Sequence, residues 1–545
     1  MIRSTFYGFG IAMSGLNVAQ KALDLTGNNM VNLNTPGYTR QRLDLYSIPS
    51  ANYADRYAST NPKGIGQGVD VTRVSQIRDP FLDNRFRREA STVGELDAYM
   101  SSISEISRIF DETQNLALKA TLSDFYTQLQ VYSGSPSSIE IESTVRAAAE
   151  SVLRMFNQYG KDLANVRQEQ EYLLNDITIP KINTILENIA LLNKNIRECE
   201  IYGNPALELK DQRNLLIDEL STYMKIDVSY EKDEKFPAVD ILRITMLGND
   251  GLNRDQRMLV HGKEYATFDA YKDGNGVMHI VSDKALDPNV PVDPSDPNDP
   301  GTPISLKFTA GALKGVLNML NSNGEFDNPP NTTRGIGFYE KILDTIVKDF
   351  AETLNEANKV KNPLFDPDFD PPDKEFIDRP LFEASDGSGV INAENIVLAS
   401  GWVRGDYGLT YTRFEAPGGG TIDVSGGTDN ILNLISLLDK KFNFTTGGLN
   451  GGGNHLYTGS FQEVFSNIGN IAAIDAKSKS SALDSSIAVI TGIEDMRNSV
   501  SSVSMDEEGI NLLRYQKSYA AAARVITTLD EALDVLINRM GVVGR

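Results

Sequence analysis

The stretch from Ser504 to Met540 constrains the chain more than any other. Leu512, Tyr515, Tyr519, Ala522, Ile526, Leu529, Leu533, Leu536 and Met540 follow one another at alternating steps of three and four residues. That spacing draws one narrow apolar stripe along a helix, the seam of a coiled coil. Ser504 with Glu507 has the S-x-x-E form of a capping box, Asp506 to Glu508 put negative charge in the first turn, and Gly541 follows the seam as a stop. At about 1.5 Å per residue the helix runs ~54 Å. One small domain cannot cover it, so it needs a long partner.

The other end of the chain supplies a candidate. Residues 4 to 30 read as a second heptad helix through Phe6 or Phe9, Met13, Leu16, Leu23 and Met30, with Ala12 and Ala19 beside them. Gly8, Gly10 and Gly15 each cost about 1 kcal/mol relative to Ala. Such a helix is marginal alone and holds against a matching seam. Pairing the two brings the chain ends together. Asn28, Asn29, Asn32 and Asn34 then lead into Thr35-Pro36-Gly37-Tyr38. Pro36 suits position i+1 of a type II turn and Gly37 the positive φ at i+2. Tyr38 to Leu45 alternates as a strand does. From the residues alone this is a helix stop followed by an extended segment.

Between the ends the chain is mostly helical from Asp79. Val93, Leu96, Met100, Ile103 and Phe110 form one heptad run. Val145, Ala149, Val152, Phe156, Tyr159, Leu163, Val166, Leu173 and Ile177 form a longer one, interrupted at Gln170. Pro180 is expected to break or kink the helix before Ile182, Ile185, Ile189, Leu192, Ile196 and Cys199. Ile342, Ile346, Phe350 and Leu354, and a segment from Phe461 to about Val500, complete an elongated antiparallel bundle. The fold class is mainly α with β insertions (α+β). Residues 1–75 and 501–545 form a terminal coiled-coil domain, and 76–235, 310–360 and 429–500 a rod-like helical bundle. Residues 236–309 and 361–428 are β-containing insertions, expected to face solvent. They carry the Asp/Pro runs DPNVPVDPSDPNDP and DPDFDPPD. Neither run has the Gly-then-Glu order of an EF-hand, so solvated loops are expected rather than calcium sites.

Chemistry is sparse. The formal charge of −22 argues against nucleic acid or an anionic membrane as partner, since phosphate binding needs a basic face. No window approaches the ~18 apolar residues of a membrane span, and the glycine-interrupted N-terminus makes a poor cleavable signal. The single cysteine, Cys199, forms no internal disulfide and falls on an apolar stripe, where it is expected buried and inert. His261, His279 and His455 lack the close spacing of a metal site. There is no G-x-S-x-G and no Walker motif, and Gly64 to Gly68 lacks the helix and lysine of a phosphate cradle. The sequence predicts no active site, no cofactor and no metal.

Three segments carry a family resemblance. GNNMVNLNTPGYTRQR (27–42), LELKDQRNLLIDELSTYMKIDVS (207–229) and DEEGINLLRYQKSYAAAARVITTLDEALDVLINRM (506–540) resemble, in this order, signatures of flagellar rod, hook and hook-associated proteins. The NTPGYTRQR form is most similar to the hook-associated members. The resemblance implies an exported, non-enzymatic structural protein between the curved hook and the straight filament. It implies self-association into a ring of eleven, contacts to hook protein and to the next hook-associated protein, and an export chaperone on the C-terminal helix. The implied location is the extracellular flagellum, reached by type III export without a cleaved signal. Carried onto this chain, the subunit interface would use Phe9, Met13, Leu16, Leu23, Leu512, Tyr515, Tyr519, Ile526, Leu529 and Leu533, and a junction loop of Asn34, Pro36, Gly37 and Tyr38. Three alternatives remain: an exported surface protein whose insertions bind or hydrolyse a ligand, another axial (rod or hook) subunit, and a cytoplasmic coiled-coil scaffold.

Overall fold

The computed structural model describes residues 7–48, 66–110, 112–136, 138–247, 257–282, 308–361, 376–412, 427–449, 451–535 and 537. Phe6, Gly64, Ile65, both Asp/Pro runs, Leu536, Met540 and Gly541 lie outside the described residues.

The chain opens with helix α1 (Tyr7–Val31) and an antiparallel hairpin of β1 (Gln41–Ser47) and β2 (Val69–Gln76), in which Gln41 faces Gln76 and Ser47 faces Val69. The remnant of the glycine run, Gly66 to Gly68, lies against α1, where Tyr7 donates to Gly66 O at 3.0 Å. Helix α2 (Pro80–Ile109) starts at its cap, Asp79, where the sequence turns helical. Asp79 accepts the Phe81 N–H at 2.9 Å, and Pro80 occupies the first turn, where a missing N–H costs nothing. Helices α3 (Glu112–Ser133) and α4 (Ile139–Tyr172) follow.

On α4 the residues from Val145 to Val166 named by the heptad are all buried. Beyond Gln170 the chain departs from expectation. A π-helical segment, Leu173–Thr178, runs without a break into α5 (Ile179–Ile201). The wider turn accommodates Pro180 inside a continuous helical path and moves the apolar stripe, so Leu174 is buried while Ile177 is exposed. Cys199, near the end of α5, is half-buried rather than buried.

After α6 (Leu207–Tyr223) come β3 (Ile226–Lys232), β4 (Asp240–Met246), β5 (Arg257–His261) and β6 (Glu264–Tyr265), one antiparallel sheet in sequence order. β7 (Phe268–Lys272) and β8 (Met278–Ser282) form a separate hairpin. Strand pairing begins at Ile226, opposite Met246, not at residue 236. The sheets also do not stand off in solvent: Ile244, Met246, Val260, Phe268 and Ile280 belong to the same continuous core as the helices.

Helices α7 (Ala312–Asn321) and α8 (Ile336–Ala357) return to the bundle, and α8 buries Ile342, Ile346, Phe350 and Leu354 as spaced. The described part of the second insertion contains β9 (Val360–Lys361) with β10 (Phe376–Ile377), β11 (Phe382–Ala384) with β12 (Ile396–Leu398), and α9 (Ser400–Arg404). It too is anchored in the core: Trp402 is fully buried and donates to Glu142 of α4 at 2.8 Å. Helix α10 (Asp429–Asp439) and the hairpin β13 (Phe442–Thr445) with β14 (His455–Gly459) lead to α11 (Phe461–Ser501), which opens with a complete Ser460/Glu463 capping box. Helix α12 (Met505–Asp534) closes the described chain apart from Val535 and Ile537.

An aromatic cluster ties the bundle together. Phe156 of α4 meets Phe350 of α8 edge-on at 5.6 Å and stacks on Phe465 of α11 at 5.0 Å. Elsewhere backbones touch: a Cβ at Gly94 of α2 would collide with Thr222 O of α6, and one at Gly315 of α7 with Glu95 O. α11 runs antiparallel to α2, since Arg497 lies over Phe86 and Lys479 over Tyr99.

Candidate functional site

α1 and α12 form an antiparallel pair. At one end a Cβ on Gly8 would stand 3.4 Å from Leu529 Cδ1, and at the other the residues just past α1 reach the first turn of α12. On α12, Leu512, Tyr515, Ala522, Ile526, Leu529 and Leu533 are half-buried in heptad order, while Tyr519 in the same row is 37% exposed. On α1 the stripe is not the expected one. Ala12, Ala19, Ala22, Thr26 and Asn29 are buried, Phe9, Leu16 and Leu23 lie half-buried, and Met13 is 39% exposed. Small side chains let α1 approach the bulky face of α12, and the larger α1 residues are pushed to the margins of the contact. On the outside of α12, Ile510 is 67% and Leu513 56% exposed, and Val525 is exposed as well.

The loop after α1 fixes the root of this hairpin. Tyr38 N–H donates to Thr35 O at 3.1 Å across Pro36 and Gly37, and Gly37 has φ +76°. That is the type II turn expected, and Asn34, Pro36 and Gly37 are exposed on it. Half-buried Tyr38 donates to Asn29 Oδ1 at 2.8 Å. Burial, then the charges of Glu208, Asp211 and Glu508, push its phenol well above the ordinary range, so it stays a neutral donor. Asn29 also exchanges two hydrogen bonds with the Gln41 backbone, at 3.0 and 3.2 Å, extending the strand's pairing onto the helix.

Arg40 locks the loop to the far end of the chain. Its Nε donates to Glu508 at 2.8 Å and its Nη1 to Glu507 at 2.6 Å, while its backbone N–H donates to Ser501 O at 2.9 Å. Glu508 is buried; Glu507 is exposed. The Ser504 side chain accepts the Glu507 N–H, but the Glu507 carboxylate serves Arg40 instead of closing the capping box. On the other side, Thr39 N–H and Oγ1 donate to the two oxygens of Asp211 on α6, at 3.1 and 2.6 Å. Burial pushes the Asp211 carboxyl up to about 6 against the lowering pull of Thr39 and Arg78.

Below Thr39 the charges form a closed set. Arg78 grips Asp83 at 2.6 Å and lies 3.8 Å from Asp211 and 4.0 Å from Asp218. Arg87 reaches Asp218 at 2.8 Å, and Arg497 bridges Asp83 at 2.8 Å and Asp218 at 2.5 Å. Three guanidinium groups thus face three carboxylates, all largely buried, drawn from α2, α6, α11 and the segment before α2. Removing one charge from such a set leaves another uncompensated, so it rewards a single mutual arrangement of the helices. Asp83 in the first turn of α2 and Arg497 in the last part of α11 also suit the helix dipoles.

The three segments named by resemblance therefore meet at one place. The sequence singles out the turn residues and seam positions, and Glu508 as first-turn charge, but not Asp211, Asp218 or Arg497. A signal was present: Asp211 and Asp218 stand a heptad apart on the helix side that packs inward, where unpaired charge is not tolerated. No group of three or more metal-ligating side chains occurs among the described residues, and none of their helices is long and apolar enough to cross a membrane.

Known proteins resemble the chain in the same places. Residues 103–361 match the family described as flagellar hook-associated protein FlgK helical domain. Residues 497–540 match flagellar basal body rod FlgEFG protein C-terminal, and 9–39 match flagella basal body rod protein. The chain is 27% identical to flagellar hook-associated protein 1 of Bacillus subtilis, over 99% of this chain and 100% of that one. It is 25% identical to the protein of the same name from Escherichia coli, over 97% and 98%. The solved structure of the flagellar hook junction protein FlgK from Burkholderia pseudomallei shares the fold, with a TM-score of 0.53 at 13% identity over 77% of this chain and 100% of that one.

Proposed function

Because this chain belongs to the family of flagellar rod, hook and hook-associated proteins, we propose that it is the structural subunit joining hook to filament. The proposal rests on the outer face of the terminal hairpin. Ile510, Leu513 and Val525 of α12 and Met13 of α1 point away from the intramolecular seam. Burying a large apolar side chain contributes roughly 1.5–3 kcal/mol, so a row of them favours side-by-side packing of hairpins from neighbouring subunits. In this arrangement the hairpins line an inner tube as a ring of eleven. The exposed turn at Asn34, Pro36 and Gly37 contacts the next subunit along the axis. Hook protein lies on one side and the next hook-associated protein on the other.

The mechanism is mechanical, and the relatives are structural proteins of the flagellum. The charge-balanced set at Asp83, Asp211 and Asp218 holds the hairpin at a fixed angle to the helical body, so load on one is borne by the other. Before assembly, the chain leaves through the flagellar type III channel, with a chaperone covering the apolar face of the C-terminal helix. A strain producing the chain without residues 505–545 tests the role. Hooks without filaments, with filament subunits spilled into the medium, are the expected result. Normal filaments on that strain would overturn it.

A further inference from the structure

Arg213 of α6 is a buried cation without an anionic partner. It is 4% exposed, and its Nη1 donates to Asn193 Oδ1 at 2.9 Å. Its guanidinium lies 5.7 Å from the centre of the Tyr230 ring and also hydrogen-bonds the Tyr230 side chain, while its Nε has no hydrogen-bond partner. Glu200, the acid whose charge it feels, is engaged by Lys210 at 2.5 Å. Other buried arginines of this chain behave differently: Arg78 meets Asp83 at 2.6 Å and Arg87 meets Asp218 at 2.8 Å. An unpaired guanidinium in the interior is costly, and its Nε and charge are unused.

Arg213 is one of the residues that line a cavity of about 420 Å³ between α5, α6 and the first sheet. Lys194, Lys235 and Lys263 stand around its mouth, exposed and without an ion pair to any described residue. Two of the lining acids are already held, Asp233 by Arg197 at 2.7 Å and Asp240 by Lys232 at 2.7 Å. Glu198 and Glu264 remain, both exposed at the rim. The uncommitted cations outnumber them, in a chain whose net charge is −22. We propose that this cavity binds an oxyanion, a carboxylate or a phosphate, with Arg213 at its floor and Lys235 and Lys263 at its mouth. A charge-assisted, planar contact from Arg213 would complete its hydrogen bonding, and the lysines would draw the anion in. The anion is either free in the medium or an acidic side chain of a neighbouring copy.

Calorimetric titration of the full chain, dispersed and at constant ionic strength, with sodium phosphate and separately with sodium acetate, tests this. The expected result is saturable binding of at least one anion, weakened tenfold or more in Arg213→Gln and severalfold in Lys235→Ala/Lys263→Ala. The second variant changes only exposed residues and keeps the test valid should Arg213→Gln fail to fold. No saturable binding, or unchanged affinity in the folded variants, overturns the proposal. Given binding, sedimentation of the concentrated chain assigns the source. Self-association weakened by phosphate points to a carboxylate of a second copy, and unchanged association points to a free anion.

Discussion

Thr39 gives both of its donors to one carboxylate: its backbone N–H reaches Asp211 Oδ2 at 3.1 Å and its hydroxyl reaches Oδ1 at 2.6 Å. These two bonds tie the turn after α1 to α6, beside the Gln41 side chain, which donates to Glu208 at 3.0 Å. Asp211→Ala strands both donors in a buried site and is expected to lower stability by about 2–3 kcal/mol, whereas Thr39→Val removes one bond and costs about 1 kcal/mol. Urea unfolding of the two variants measures the difference. An Asp211→Ala loss no larger than that of Thr39→Val would show that the carboxylate does not hold the turn.

Arg40 and Glu508 form the matching link on the other side. Truncating Arg40 to Ala leaves Glu508 buried and unpaired, at a cost of about 3 kcal/mol. The loss is expected to be local. Hydrogen exchange should quicken along α1 and α12 and stay slow in α4 and α8. Adding Glu508→Gln to Arg40→Ala should restore part of the protection, because the orphaned charge is then gone. Uniform loss across the chain would mean that the ion pair supports the whole fold rather than the hairpin.

The outline of these elements is legible in the sequence for physical reasons. The α4 stripe buries large residues at heptad steps, the α12 seam half-buries them, and Pro36-Gly37 is a local signal that tertiary contacts do not override. The α1 stripe is less legible. There the buried apolar positions are Ala12, Ala19 and Ala22, and small residues carry little hydrophobic signal beside Met13 and Leu23. The π segment at Leu173–Thr178 was hidden because Pro180 suggests a stop, while a wider turn preserves the helix. The ion-pair set was hidden for another reason. Arg78, Asp218 and Arg497 are far apart in the chain, and charges are too common in it for any one to stand out before the helices are brought together.

Asp349 provides a pH prediction. Its Oδ1 accepts the Leu449 N–H at 3.2 Å, its Oδ2 has no partner, and burial followed by the Glu352 charge pushes the carboxyl up to about 6. An aspartate whose folded-state pKa lies above its unfolded value, near 3.9, takes up protons on folding between the two values. Stability therefore falls as pH rises from about 4 to about 6, and stays reduced above. Asp211 and Asp344, also raised to about 6 by burial, act in the same direction. Asp349→Asn should flatten the wild-type fall across this window by roughly 2–3 kcal/mol. Denaturation midpoints at pH 4, 5, 6 and 7 in both proteins measure it; parallel curves would show that Asp349 is not the titrating group.

The last prediction separates the two faces of α12. Leu529 faces Gly8 within the hairpin, whereas Ile510 and Leu513 are exposed on the outer side of α12. Leu529→Asp places a charge in the intramolecular seam and should loosen the hairpin of the single chain, with faster hydrogen exchange in α1. Ile510→Asp with Leu513→Asp should leave exchange and unfolding of the single chain within about 0.5 kcal/mol of wild type, because surface changes away from packed features rarely exceed that. In cells the same double variant should be exported yet fail to support filaments, since each charge would have to be buried between neighbouring hairpins without a partner. The informative result is the pair taken together. An unperturbed monomer that cannot assemble assigns the outward row to contacts between subunits, and normal filaments on the double variant would remove that row from the interface.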